Sequence, residues 1–278
     1  MGMETVSKGP YDLAAQSEFF GGWTRPAGGG IVIAFPVEGW THSAAVTLRQ
    51  EKDKIQGRVY GGAEAAWGQA LAVLSLDEDG TGYPAVGERD PVIGKLQQEH
   101  GYLRPVLFHS PYEAACAFII GHRLRIEQGR AIRARMARDY GESFDVNGTA
   151  VYAFPAPQRL LDLGEVPGIN DEKVTRLHGV ARAALDGRLD RARLRAAPLA
   201  ESLATVRELR GVGEFFAAAI VLRGAGRVDA VTSDEMTLAG IERHYGPGAD
   251  AGAIIDGWRP YRMWCSVLIH AMERRARA

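Results

Sequence analysis

Apolar positions along the chain change their period part-way through it. Residues 31–37 (IVIAFPV), 44–50 (AAVTLRQ) and 54–60 (KIQGRVY) combine β-branched residues with partial alternation. They are separated by Gly, Asp and Lys, which is the pattern of antiparallel strands. From residue 63 onward helical spacing takes over. Residues 63–76 predict an amphipathic helix, and Asp90 stands where it can cap a helix running to about His100. Further helices are expected over 111–121, 123–140, 156–163, 171–186, 199–209, 214–224, 234–244 and 258–275. This order predicts an α+β chain: a small antiparallel β-rich N-terminal domain over 1–103, then a mostly helical body over 104–278 with two helical subdomains and a hairpin at 199–224.

The hairpin carries the clearest candidate chemistry. Leu199, Leu203, Val206 and Leu209 give one helix an apolar face, and Phe215, Phe216, Ala218, Ala219, Val221 and Leu222 make the next helix apolar nearly all round. Between them, Gly211 and Gly213 flank Val212; glycine permits positive φ and lets backbone N–H groups approach a ligand. A helix N-terminus opening there presents unpaired donors to an anion, so the ligand expected is a phosphate. The same pattern also serves as a plain connection between helices. Two adjacent carboxylates, Asp234 and Glu235, follow the turn, and Ser233, Asp234 and Glu235 are also residue types that cap a helix. A second glycine turn, VPGIN at 166–170, is equally ordinary loop punctuation.

Four segments, AFPAPQRLLDLG at 153–164, HGVARAALDGRL at 178–189, LRGVGEFFAAAIVLRG at 209–224 and WRPYR at 258–262, resemble in order and spacing the helix-hairpin-helix (HhH-GPD) DNA glycosylases, nearest to the bacterial 3-methyladenine-DNA glycosylase II (AlkA) type. Residues 104–142 extend the likeness upstream, so it covers roughly 104–275 well and the first hundred residues loosely. The resemblance implies a β domain packed on two helical subdomains. It also implies double-stranded DNA with a damaged base as partner, base flipping, and hydrolysis of the N-glycosidic bond in base excision repair. It places Gly211, Val212, Gly213, Glu214, His122, Arg123 and Arg125 against DNA, with the insertion turn at Gly121-His122-Arg123-Leu124 where relatives carry Gly-Gln-hydrophobic or Gly-Gln-Gln. In the base pocket Phe215 replaces a tryptophan, Ala219 a tyrosine and His270 a further tryptophan, while Phe216, Tyr261 and Trp264 are candidates to compensate. Phe215 also stands where strand-cleaving relatives carry their lysine, and no lysine follows Lys173, which implies a monofunctional enzyme. The likeness permits a monovalent cation at Gly211–Gly213 and implies no other cofactor.

Breaking an N-glycosidic bond puts positive charge on the sugar, so the catalytic group should be a carboxylate. The ungapped match sets Glu235 on the catalytic position, where the family has aspartate, with Asp234 one residue before. Helical phase points the same way: from Glu235, Leu238 and Ile241 fall at +3 and +6, whereas from Asp234 those positions are Thr237 and Gly240. Both acids remain open, and Asp229 is a distant third. The alternative activity class is a lesion-binding protein that keeps the hairpin without turnover.

Composition narrows this picture modestly. The net charge of −1 argues mildly against nucleic acid, but Arg123, Arg125, Arg130, Arg133, Arg135 and Arg138 crowd one stretch and Arg274, Arg275 and Arg277 end the chain. Such runs are also commonly solvated helix faces. Cys116 and Cys265 are the only cysteines, and the seven histidines show no ligand spacing, so no metal site is expected. With no apolar run of spanning length and no secretory signal, a cytoplasmic protein without membrane contact is expected, and by analogy a monomer.

Overall fold

The computed structural model describes residues 2–19, 24–62, 64–231 and 235–276, with side chains described at all of these except 17–19 and 272–276. Strand β1 (Gly2–Val6) and helix α1 (Leu13–Phe19) precede β2 (Arg25–Ala27), β3 (Gly30–Pro36), β4 (Ser43–Glu51) and β5 (Lys54–Tyr60). The five strands form one antiparallel sheet in the order β1-β5-β4-β3-β2. Helices α2 (Glu64–Val73), α3 (Pro84–Arg89) and α4 (Pro91–Glu99) follow, the last capped by Asp90, whose side chain accepts from Val92 N and Ile93 N. Then come α5 (Pro111–Gly121), α6 (Ile126–Tyr140), a hairpin of β6 (Ser143–Val146) and β7 (Thr149–Tyr152), α7 (Pro157–Leu161), α8 (Asp171–Leu185), α9 (Arg191–Ala196), α10 (Leu199–Arg207) and α11 (Glu214–Ala219). A π-helical segment, Ile220–Gly226, continues α11, and α12 (Glu235–Tyr245), α13 (Ala251–Gly257) and α14 (Arg262–Ala276) complete the chain.

The near-continuous burial of β3 and β4 follows from packing on both faces of the sheet. Ile31, Ile33 and Phe35 enter the main core on one face, where Trp67 of α2 lies against Gly57, its ring 2.7 Å from where a Cβ there would sit. On the other face Val32 and Ala45 meet Phe144, Val146 and Val151 of the β6–β7 hairpin. A sheet buried on both faces needs apolar residues at successive positions, which is why alternation in the sequence is only partial.

The cores divide differently from the expected boundary at 103/104. One core joins the sheet and α2–α4 to Ile241 of α12, Ile255 and Trp258 at α13, and Trp264 and Leu268 of α14. The other joins α5 through α11 and the π segment. The C-terminal helices therefore return to the N-terminal sheet instead of completing the helical body. Polar ties cross between the two parts: Phe108 N donates to Arg223 O (3.0 Å), Arg223 Nη2 to Val106 O (2.7 Å), and Arg195 pairs with Asp77 (2.6 Å) and Glu78 (3.2 Å). Among the described residues no helix is long and apolar enough to cross a membrane.

Candidate active site

The glycine turn forms as its residue types require. Gly211 has φ +88°, and Val212 N donates to Leu209 O (3.0 Å) to close the turn, with the Val212 side chain buried beneath it. Gly213 is the N-cap of α11 and supplies no side chain; a Cβ there would meet nothing within 4 Å. The first-turn N–H groups of α11 have no intrahelical acceptors, as at any helix start. Glu214 contributes its N–H, while its carboxylate turns to Arg207 at 3.4 Å. Arg176 and Arg210 flank the turn and share Glu172 (2.6 and 3.8 Å), leaving the surroundings net positive. The carbonyls of Val206 and Leu209 are used inside the turn, accepting from Leu209 N (3.2 Å) and Val212 N (3.0 Å).

The insertion turn between α5 and α6 lies beside this hairpin. His122 packs edge-on to Phe216 (ring centroids 5.9 Å, 87°), so its side chain is occupied within the protein. Arg123 follows at φ +59° and is exposed, as is Arg125 at the N-cap of α6. Leu124 N donates back to Gly121 O at 2.9 Å. Behind the turn runs a ladder of rings. Phe216 stacks on Phe118 (4.9 Å, 29°), Phe118 leans on Phe108 (5.4 Å), and Phe215, 67% exposed, stands 6.0 Å from Phe216. Ala219 lies one turn further along the same helix and is half-buried.

Glu235 is the exposed first residue of α12. Asp234 and Ser233 lie outside the described residues. The helical phase differs from expectation: Thr237, Gly240 and Ile241 form the buried face of α12, and Leu238 is 41% exposed. Of the two positions counted inward from Glu235, Ile241 is buried and Leu238 is not, while both counted from Asp234, Thr237 and Gly240, are buried, so helical phase does not favour Glu235. Thr237 is fully buried, its hydroxyl partnered by Ser266 Oγ at 3.1 Å and His270 Nε2 at 2.8 Å. That bond ties half-buried His270 to the first turn of α12, next to the candidate acids. Asp229 is held by Arg262 (2.8 Å) and Arg259 (2.9 Å).

No family model matches the chain. A DNA-3-methyladenine glycosylase of Bacillus subtilis is 22% identical over 155 residues, 54% of this chain and 51% of its own, so the chain's match spans about half the length of that curated relative. Among solved structures, a 3-methyladenine DNA-glycosylase from Archaeoglobus fulgidus superposes with a TM-score of 0.76 at 18% identity, covering 99% of this chain and 98% of its own. A Clostridium acetobutylicum 8-oxoguanine glycosylase/lyase in complex with double-stranded DNA gives 0.69 at 16% identity, covering 99% of each. The chain has the fold of these DNA glycosylases.

Within that glycosylase fold several expected site residues move. Trp264 does not line a pocket: it is fully buried, with Arg104 over its ring (4.8 Å) and Tyr83 and Tyr261 against it (5.1 and 4.9 Å). Tyr261 is likewise core, its hydroxyl donating to Asp79 O (2.7 Å). The arginine run is not one DNA-facing stripe. Arg138 pairs with Asp139 (2.8 Å), Arg135 donates to Pro167 O, and burial pushes Arg133 down to about 10 beside Glu113, Arg130 and Arg25. Arg123 and Arg125 remain available, and the side chains of Arg274, Arg275 and Arg277 lie outside the described residues. Sequence reasoning misses Phe118 and Ser266. Phe118 reads as another apolar residue of an apolar helix, and the Thr237–Ser266 contact joins positions with no shared motif.

Proposed function

We propose that the protein is a monofunctional DNA glycosylase that flips a damaged, alkylated base from duplex DNA and hydrolyses its N-glycosidic bond. The observation that carries this reading is the grouping of the Gly211–Gly213 turn, the His122–Arg123 turn and the Phe216–Phe118 ring stack that joins them. Backbone donors at the first hold a phosphate, Arg123 fills the space a flipped base vacates, and the rings receive the base. Electron-rich ring faces favour a cationic base, the product of alkylation. As the C1′–N bond breaks, the electron pair leaves with the base, and a base already cationic departs neutral. A carboxylate from Asp234 or Glu235 stabilises the charge left on the sugar; water adds at C1′ and surrenders a proton, leaving an abasic site. Names borne by the similar proteins, 3-methyladenine glycosylases among them, support the substrate class.

The test is incubation with duplexes carrying alkylated, deaminated or bulky bases, followed by detection of alkali-labile sites. Release of an alkylated base is expected, and Asp234→Asn or Glu235→Gln should lower it by about a hundredfold or more. Undiminished release in both variants would sink the catalytic assignment, and binding without release would make the protein a lesion binder. Strand cleavage through an amine is not expected. Phe215 occupies the place of the lyase lysine, and Lys173 Nζ is engaged with main-chain carbonyls. Borohydride should therefore trap no enzyme–DNA adduct.

A further inference from the structure

Lys173, in the first turn of α8, reaches across to the insertion turn. Its Nζ donates to the carbonyls of Ile120 and His122, both at 2.8 Å, joining segments 53 and 51 residues apart. Burial, together with nearby Arg176, lowers its pKa, and the two carbonyl bonds act against that by favouring the ammonium. Neighbouring Glu172 pairs instead with Arg176 and Arg210. Three residues on, and therefore on the same face of α8, the Arg176 side chain lies 2.9 Å from where a Gly211 Cβ would sit. The first turn of α8 thus touches both turns assigned to DNA, one through Lys173 and the other through Arg176. Its own start is fixed by Asn170, whose side chain accepts from Lys173 N at 2.9 Å.

The conformation that Lys173 braces is an unusual one. Arg123 holds φ +59°, which a side chain with a Cβ disfavours and which persists only when the surroundings enforce it. The Lys173 bonds to the carbonyls on either side of Gly121, the His122–Phe216 ring contact and the Leu124 N to Gly121 O bond supply that enforcement. We infer that Lys173 is a positioning residue that presets the insertion turn, so that Arg123 enters the DNA stack at a fixed distance from the phosphate held at Gly211–Gly213. This rests on the glycosylase reading, because it concerns the base-flipping step.

The experiment uses the full chain and a duplex with a tetrahydrofuran abasic analogue opposite 2-aminopurine, whose fluorescence reports unstacking. The native protein is expected to change the emission on binding, and Arg123→Ala to abolish the change. Lys173→Met should lower the preference for abasic over undamaged duplex by about tenfold, the weight of a charged hydrogen-bond pair, with its melting temperature monitored alongside. Lys173→Arg, which keeps the charge and donors, should recover part of the response even if the methionine variant folds poorly. No emission change with native protein overturns both this inference and the glycosylase reading. A full response in Lys173→Met, with Arg123→Ala silent, overturns this inference alone.

Discussion

At the scale of single residues, Gly211 is the position where sequence and structure agree for a stated reason. Its φ of +88° is open to glycine and costs other residues about 1–2 kcal/mol, so the need for glycine is a backbone property visible in the sequence. Gly211→Ala should therefore lower stability by about that amount and weaken duplex affinity as the turn shifts against Arg176, measurable by thermal melting and fluorescence anisotropy. Gly213, with open space where its Cβ would be, tolerates alanine sterically, so any loss of affinity there reports backbone approach to phosphate. The other site residues were less legible. Trp264 and Phe216 are both aromatic residues on apolar helices, and only the three-dimensional neighbours make one core and the other part of the ring stack. At Glu235 the spacing misled because a buried threonine with hydrogen-bond partners occupies an inward position that apolar counting assigns to leucine.

Among the elements, those bounded by local signals were legible and those shaped by contacts were not. Helix α5 starts at Pro111 behind the Ser110 cap, and α4 starts behind Asp90, both where the residue types require. The β6–β7 hairpin had a signal that apolar spacing alone passes over: Asn147-Gly148, both at positive φ, the pair that a tight two-residue turn favours. The widening of α11 into a π-helical segment has no counterpart in the sequence pattern, which predicts one plain helix over 214–224. It lies where Gly224 lets the segment approach α5 closely; a Cβ there would sit 3.0 Å from Pro111 Cα and 3.1 Å from Ala114 Cβ. Gly224→Val should accordingly destabilise by about 1–3 kcal/mol through overpacking against backbone, read from urea unfolding. Because α5 ends in the insertion turn, the same variant should also weaken discrimination of damaged from undamaged duplex.

For the molecule as a whole, the expected α+β class holds, but where the chain divides was beyond sequence reading. Periodicity says which faces are apolar and not which distant segment covers them. The two cores are joined by buried charge as well as by backbone bonds. Glu38, just after β3, pairs with Arg191 of α9 at 3.3 Å, and burial raises its carboxyl above the ordinary 4.5 despite the guanidinium, which pulls it down. A carboxyl raised in the fold ionises first in the unfolded chain. Its contribution to stability is therefore fully present below about 4.5 and falls as pH rises toward the folded value. In urea melts across this range, native protein should lose stability relative to Glu38→Gln as pH rises from 4.5; a constant difference would show that Glu38 does not titrate abnormally. The return of α12–α14 to the N-terminal sheet also bears on how the chain is made. On the ribosome, the sheet emerges before the helical body, yet its core lacks Ile241, Trp258 and Trp264 until α12–α14 have followed. The body from α5 to the π segment is contiguous, so it can close its own core while α12–α14 are still being translated. The sheet, made before the body, is then the later of the two to finish folding, and a chain stopped before residue 235 leaves the sheet, not the hairpin, open to proteases.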